Sequence, residues 1–111
     1  MIDLLSRLVQ VYGVSAALLA TDDGLLVEAL GSQVDFHAAA AGAIDVMHAA
    51  ERMAQLNGHS PPALVTAETN GHVLVLDRIE KDLVLTVLLD GPGNVAYVRY
   101  LLERESANSH A

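Results

Sequence analysis

The chain has 111 residues, 52% of them hydrophobic, which suits one domain with a packed core and argues against disorder. It has no cysteine, which excludes a disulfide framework, a thiol nucleophile and a Cys-based zinc site. The net charge is −8 and the 6 basic residues are scattered, so nucleic acid is not an expected partner. No apolar run approaches the ~18–20 residues of a membrane span. Met1 to Leu5 lack the basic-then-apolar start of a secretion signal, so no membrane insertion and a cytoplasmic location are expected.

In chain order, Ile2–Tyr12 reads as a helix, with Leu4, Leu5, Leu8, Val9 and Tyr12 at helical spacing and Gly13 as its stop. Ser15–Thr21 and Leu25–Leu30 read as strands joined by Asp22-Asp23-Gly24, a hairpin signal. A long Ala-rich helix follows, with Asp35 or Ser32 as N-cap and Asn57-Gly58 as stop. Pro61-Pro62 leads into a strand at Ala63–Thr69, and Asn70-Gly71 is the strongest hairpin signal in the chain. His72–Asp77 is the next strand, Arg78–Asp82 a charged turn, and Leu83–Leu89 the last strand. Asp90-Gly91-Pro92-Gly93 breaks the chain. Asn94 can cap a final helix, Val95–Glu105, leaving a frayed tail at 106–111 beyond a single domain at 1–105.

Ser15–Thr21 and Leu83–Leu89 are apolar on both alternating sets, so they belong in the sheet centre. Glu28 in one strand, and Thr66, Glu68 and Thr69 in another, mark edges. The expected fold is an α/β (α+β) sandwich of topology αββαβββα. Its five-stranded, mainly antiparallel sheet has order 2-1-5-4-3, with helices on both faces.

Wound at about 100° per residue, the long helix gathers His37, His48, Arg52, Gln55, Asp45 and Glu51 into a polar strip roughly 120° wide. Nearly all the rest of its circumference is apolar, more than one sheet can cover. A homodimer is therefore expected, with Phe36, Ala39, Ala40, Ala43, Met47, Ala50 and Ala54 facing a second copy. Ile44 falls inside the polar strip, where an exposed apolar residue can serve as a contact for another protein.

The element order resembles the Roadblock/dynein light chain family from Leu4 to Leu102. The resemblance rests on the leucine-rich first helix, Gly13-Val14-Ser15-Ala16-Ala17-Leu18-Leu19 and Asp22-Asp23-Gly24-Leu25-Leu26-Val27. It also rests on the small-residue second helix, the Asn70-Gly71 hairpin and Asp90-Gly91-Pro92-Gly93-Asn94. It implies dimerisation through the second helix, with third strands of two copies often paired as well. It also implies a non-enzymatic scaffold or regulator of small Ras-like GTPases, as in bacterial gliding motility and cell polarity. A GTPase docked on the long helices would meet His37, Ile44, His48, Glu51, Arg52 and Gln55. An arginine finger could come from Arg52 or from another exposed arginine. A passive subunit of a motor or signalling complex and a small-ligand sensor are the alternatives.

Chemistry within the chain itself finds little footing. His37 and His48 share a helical face but stand about 16 Å apart, too far for one metal ion. Gly91-Pro92-Gly93-Asn94 precedes a helix without the Lys of a phosphate-binding loop. Asp22-Asp23 and Glu80 with Asp82 are solvated turn carboxylates, and no Gly-x-Ser-x-Gly places a nucleophile. No catalytic residue, cofactor or metal is expected.

Overall fold

The computed structural model describes residues 2–31 and 34–109, the last four as backbone only. Eight elements follow in order: α1 (Ile2–Val9), β1 (Val14–Thr21), β2 (Leu26–Gly31), α2 (Phe36–Leu56), β3 (Leu64–Thr69), β4 (His72–Glu80), β5 (Leu83–Leu89) and α3 (Val95–Ser109). The strands form one sheet of order β2-β1-β5-β4-β3, every neighbouring pair antiparallel. This is the expected architecture.

Alternation along each strand divides the core in two. Ala17, Leu19, Val73, Val75, Leu85, Val87 and Leu89 pack against α1 and α3 through Leu4, Leu5, Leu8, Val98 and Leu102. Leu18, Ala20, Leu76 and Val84 point the other way, against Ala40, Ala43, Ile44 and Met47 of α2. Each fully buried leucine here contributes on the order of 2 kcal/mol. No helix among the described residues is long and apolar enough to cross a membrane.

Turn chemistry sets the connections. Asn70 and Gly71 have φ of 44° and 84°, the positive pair that a two-residue hairpin demands. Gly31 has φ 117°, and a Cβ there would sit 2.4 Å from the Ser15 carbonyl oxygen, so only glycine lets β2 end this close to β1. Asp35 caps α2 by accepting from the Ala38 amide at 3.1 Å. Ser32, the other candidate cap, lies outside the described residues. Asn94 uses its side-chain amide differently, donating to the Tyr12 carbonyl at 2.6 Å and tying the start of α3 to the loop after α1.

Three boundaries move. α1 stops at Val9, three residues early, because the Val11 amide bonds back to the Leu8 carbonyl and the Val14 amide to the Val11 carbonyl, in two tight turns of which the second spans Gly13. β4 runs on to Glu80, so Arg78–Glu80 is strand rather than turn. Ile79 packs on the α1/α3 core, and a register shift between Arg78 and Glu80 absorbs the extra residue. α3 continues to Ser109.

The two sheet edges differ. β2 is interrupted by a bulge at Val27, where Leu19 pairs with Glu28 and Ala20 with Leu26. Its Glu28 has Oε2 buried without a hydrogen-bond partner. A bulge and an inward-pointing charge both discourage edge pairing. β3 has neither, and is in regular register with β4 throughout.

Among the described residues Asp77 is the one ionisable residue classed as buried, 6% exposed and on the α3 side of β4. Burial, with Glu103 nearby, pushes its carboxyl up from 3.8 to about 6. The folded state thus holds a proton that the unfolded chain releases at lower pH. The resulting penalty is absent below about pH 4 and complete above pH 6. Asp77→Asn is expected to be more stable than wild type by on the order of 2 kcal/mol at pH 7.5 and equal to it near pH 4, as read by urea denaturation across pH.

Candidate partner-binding surface

The orientation of α2 decides what it can offer. Ala43, Met47, Ala40 and Ile44 lie on consecutive parts of one arc, and all four are buried against the sheet. Phe36 and Ala39 are half-buried on the same cluster, and Ala50 and Ala54 are half-buried beside it. The residues expected to meet a second copy are therefore mainly those that meet the chain's own sheet. Ala40, Ala43 and Met47 are withdrawn as dimer contacts. Ile44, only 3% exposed, is withdrawn as a partner contact. The reason is physical: a helix apolar around most of its circumference has no well-defined inward direction, and tertiary partners choose it.

What remains outside is also apolar. Ala38, Gly42, Ala49, Met53 and Leu56 are exposed, Met53 at 62% and Leu56 at 75%, and they follow one another along the outer side of the helix. Half-buried Val46 borders them. The surplus apolar surface read from the sequence exists, rotated from its expected place.

An arginine from the sheet holds the helix in that rotation. Arg78, on the α2 side of β4, donates from Nε to Glu51 Oε2 at 2.6 Å and from Nη2 to Glu51 Oε1 at 3.0 Å. The same Nη2 donates to Asp22 Oδ1 at 2.8 Å, and Nη1 to the Lys81 carbonyl at 2.7 Å. His48 Nε2 lies 3.0 Å from that Asp22 oxygen. Asp22 belongs to the β1–β2 turn, whose Thr21 hydroxyl donates to Asp23. One guanidinium thus joins α2 to both turns at this end of the sheet. The Asp22 carboxyl is held below its ordinary value, first by the His48 hydrogen bond and then by Arg78. Arg78 is pushed up, chiefly by its hydrogen bond to Glu51. Nothing in the sequence spacing pairs Arg78 with Glu51. The clue was the alternation Arg78-Ile79-Glu80, which reads as strand.

Beyond this network the surface opens into a groove of about 830 Å³ lined by His48, Glu51, Arg52, Gln55, Leu56, His59 and Pro61. Four of the six residues expected to bind a partner, His48, Glu51, Arg52 and Gln55, come together there. His37 is exposed nearer the helix start, away from the groove. Leu56, His59 and Pro61 complete it and were not foreseen.

A five-stranded antiparallel sheet with one long helix on one face and two shorter helices on the other defines an α/β sandwich of the Roadblock class. The chain belongs to the Roadblock/LC7 domain family, whose model matches residues 2–89. No curated protein matches it. Solved structures share the fold. A Roadblock/LC7 domain from Streptomyces avermitilis is 21% identical, with TM-score 0.83 over 99% of this chain and 94% of that one. MglB from Myxococcus xanthus is 20% identical, with TM-score 0.81 over 95% and 87%. The gliding protein MglB from Thermus thermophilus is 17% identical, with TM-score 0.81 over 95% and 82%.

Arg78→Met leaves Glu51 and Asp22 facing each other without their cation. It is expected to cost about 2 kcal/mol in urea denaturation, while His48→Ala, which removes an exposed partner, should cost less than about 1 kcal/mol.

Proposed function

We propose that the chain is a homodimeric, non-enzymatic regulator that binds a small Ras-like GTPase and modulates its nucleotide cycle. The observation that carries this reading is the outer side of α2. It has an exposed apolar strip that no described residue covers, directly beside a polar groove. The strip suits a twofold contact, since Ala38, Gly42 and Ala49 let two helix backbones approach closely while Met53 and Leu56 gain cover. The unguarded β3 edge supports sheet-to-sheet pairing in the same dimer, because β2 carries the devices that prevent it.

In this reading the groove docks the GTPase. Arg52 is exposed there, and no described residue pairs with it. A guanidinium in that position could reach a partner's phosphate site or orient its switch loops about the hydrolysis water. Family membership and the MglB-like fold support a GTPase as partner.

Light scattering is expected to give a dimer at micromolar concentration. Ala49→Glu, which places a charge on the apolar strip, should yield a folded monomer. Ala43→Glu, which places one under the sheet, should unfold the chain at any concentration. A wild-type monomer, or an Ala49→Glu dimer, removes this interface.

Pull-down from native cytosol is expected to recover a small GTPase whose turnover the protein alters. The double change Arg52→Ala with Gln55→Ala should weaken capture about tenfold or more, without affecting the dimer. Recovery of a large assembly lacking any GTPase would favour the passive-subunit reading instead.

A further inference from the structure

On the sheet face opposite α2, the start of β3, the middle of β4 and the second half of α3 enclose a cleft of about 150 Å³. Ala63, Leu64, Asp77, Leu102 and Glu103 line it. Two carboxylates share this small opening. Asp77 is more than nine-tenths buried, yet no described group hydrogen-bonds to its carboxylate. Its cross-strand neighbours are Leu64 and Leu85, which offer it nothing. From α3, Glu103 adds a like charge.

The described cations of α1 and α3 are already engaged. Arg99 donates to Thr66 Oγ1 at 2.6 Å, Arg7 pairs with Glu105 at 3.2 Å, and Arg104 reaches the Tyr100 hydroxyl. A buried carboxylate without a counter-ion is costly, and an amide or a leucine would fill the same space at lower cost. A cationic group from outside the chain, donating hydrogen bonds to both carboxylates, would relieve that cost.

We propose that this cleft is a binding site for an alkylammonium group, supplied by a lysine side chain of a partner protein. Ala63, Leu64 and Leu102 form an apolar throat for the methylenes. Asp77 and Glu103 accept hydrogen bonds from the ammonium. A divalent metal fits less well, because Ca²⁺ asks for roughly six to eight oxygen ligands and three of the five lining residues present carbon. The site lies on the far face from the α2 groove and does not depend on the GTPase reading.

The test is a titration of the full chain with Nα-acetyl-lysine N-methylamide at pH 7.5, followed by amide chemical shifts. Saturable shifts are expected at Leu64, Asp77, Leu102 and Glu103. Asp77→Asn should weaken binding about tenfold or more, and Glu103→Gln, on an exposed residue, several-fold. At pH 5, with Asp77 protonated, binding of the wild type should weaken comparably. Equal binding by Asp77→Asn overturns the proposal. So does equal binding of the uncharged norleucine analogue, or shifts of the same amides by Ca²⁺ or Mg²⁺ at lower concentration than the amine. Tighter binding of cadaverine than of the lysine probe overturns the partner protein as the source.

Discussion

The Arg78 fork fixes how α2 lies on the sheet, and most of what the domain offers to the outside depends on that. Hydrophobic burial alone is nearly indifferent to the rotation of this helix, since alanines cover most of it. Directional hydrogen bonds are not indifferent. By clamping Glu51 from β4 and sharing Asp22 with His48, Arg78 brings Ile44 inward and leaves Ala49, Met53 and Leu56 outward. The same clamp positions one side of the groove, because His48 and Glu51 are among its lining residues.

The sheet separates its tasks by strand position. β1, β5 and β4 carry the two cores, while β2 and β3 face solvent along one edge each. The two helices on the α1/α3 face are joined by Arg7 with Glu105 and by Asn94 with the Tyr12 carbonyl. α2 is held from the sheet side by Arg78. A change on one layer is thus felt by the other mainly through the strands between them.

The strand order was legible in the sequence because polarity reports exposure: β1 and β5 are apolar on both sets, whereas Glu28 and Thr66-Glu68-Thr69 are not. Asn70-Gly71 and Asp35 were legible because their backbone chemistry is local. The rotation of α2 was not, since it is set by a residue 27 positions away. Four charges in Arg78–Asp82 hid the strand that Ile79 continues. The burial of Asp77 had no local signature either, standing as it does at the end of an apolar alternation where an aspartate suggests a turn. The candidate site was therefore half legible. Its polar residues were found, but its apolar strip was placed on the wrong side of the helix.

The bulge at Val27 has an arithmetic consequence. In an unbroken strand Leu26, Glu28 and Leu30 would share a face. The extra residue lets Leu26 and Ala29 face α2 while Glu28 and Leu30 face α1. Removing Val27 would leave every other side chain of β2 on its present face, because the remaining residues alternate in the same sense. What would change is the backbone, which would become a straight, evenly spaced border. The inward-pointing Glu28 would then be the one remaining guard on that edge.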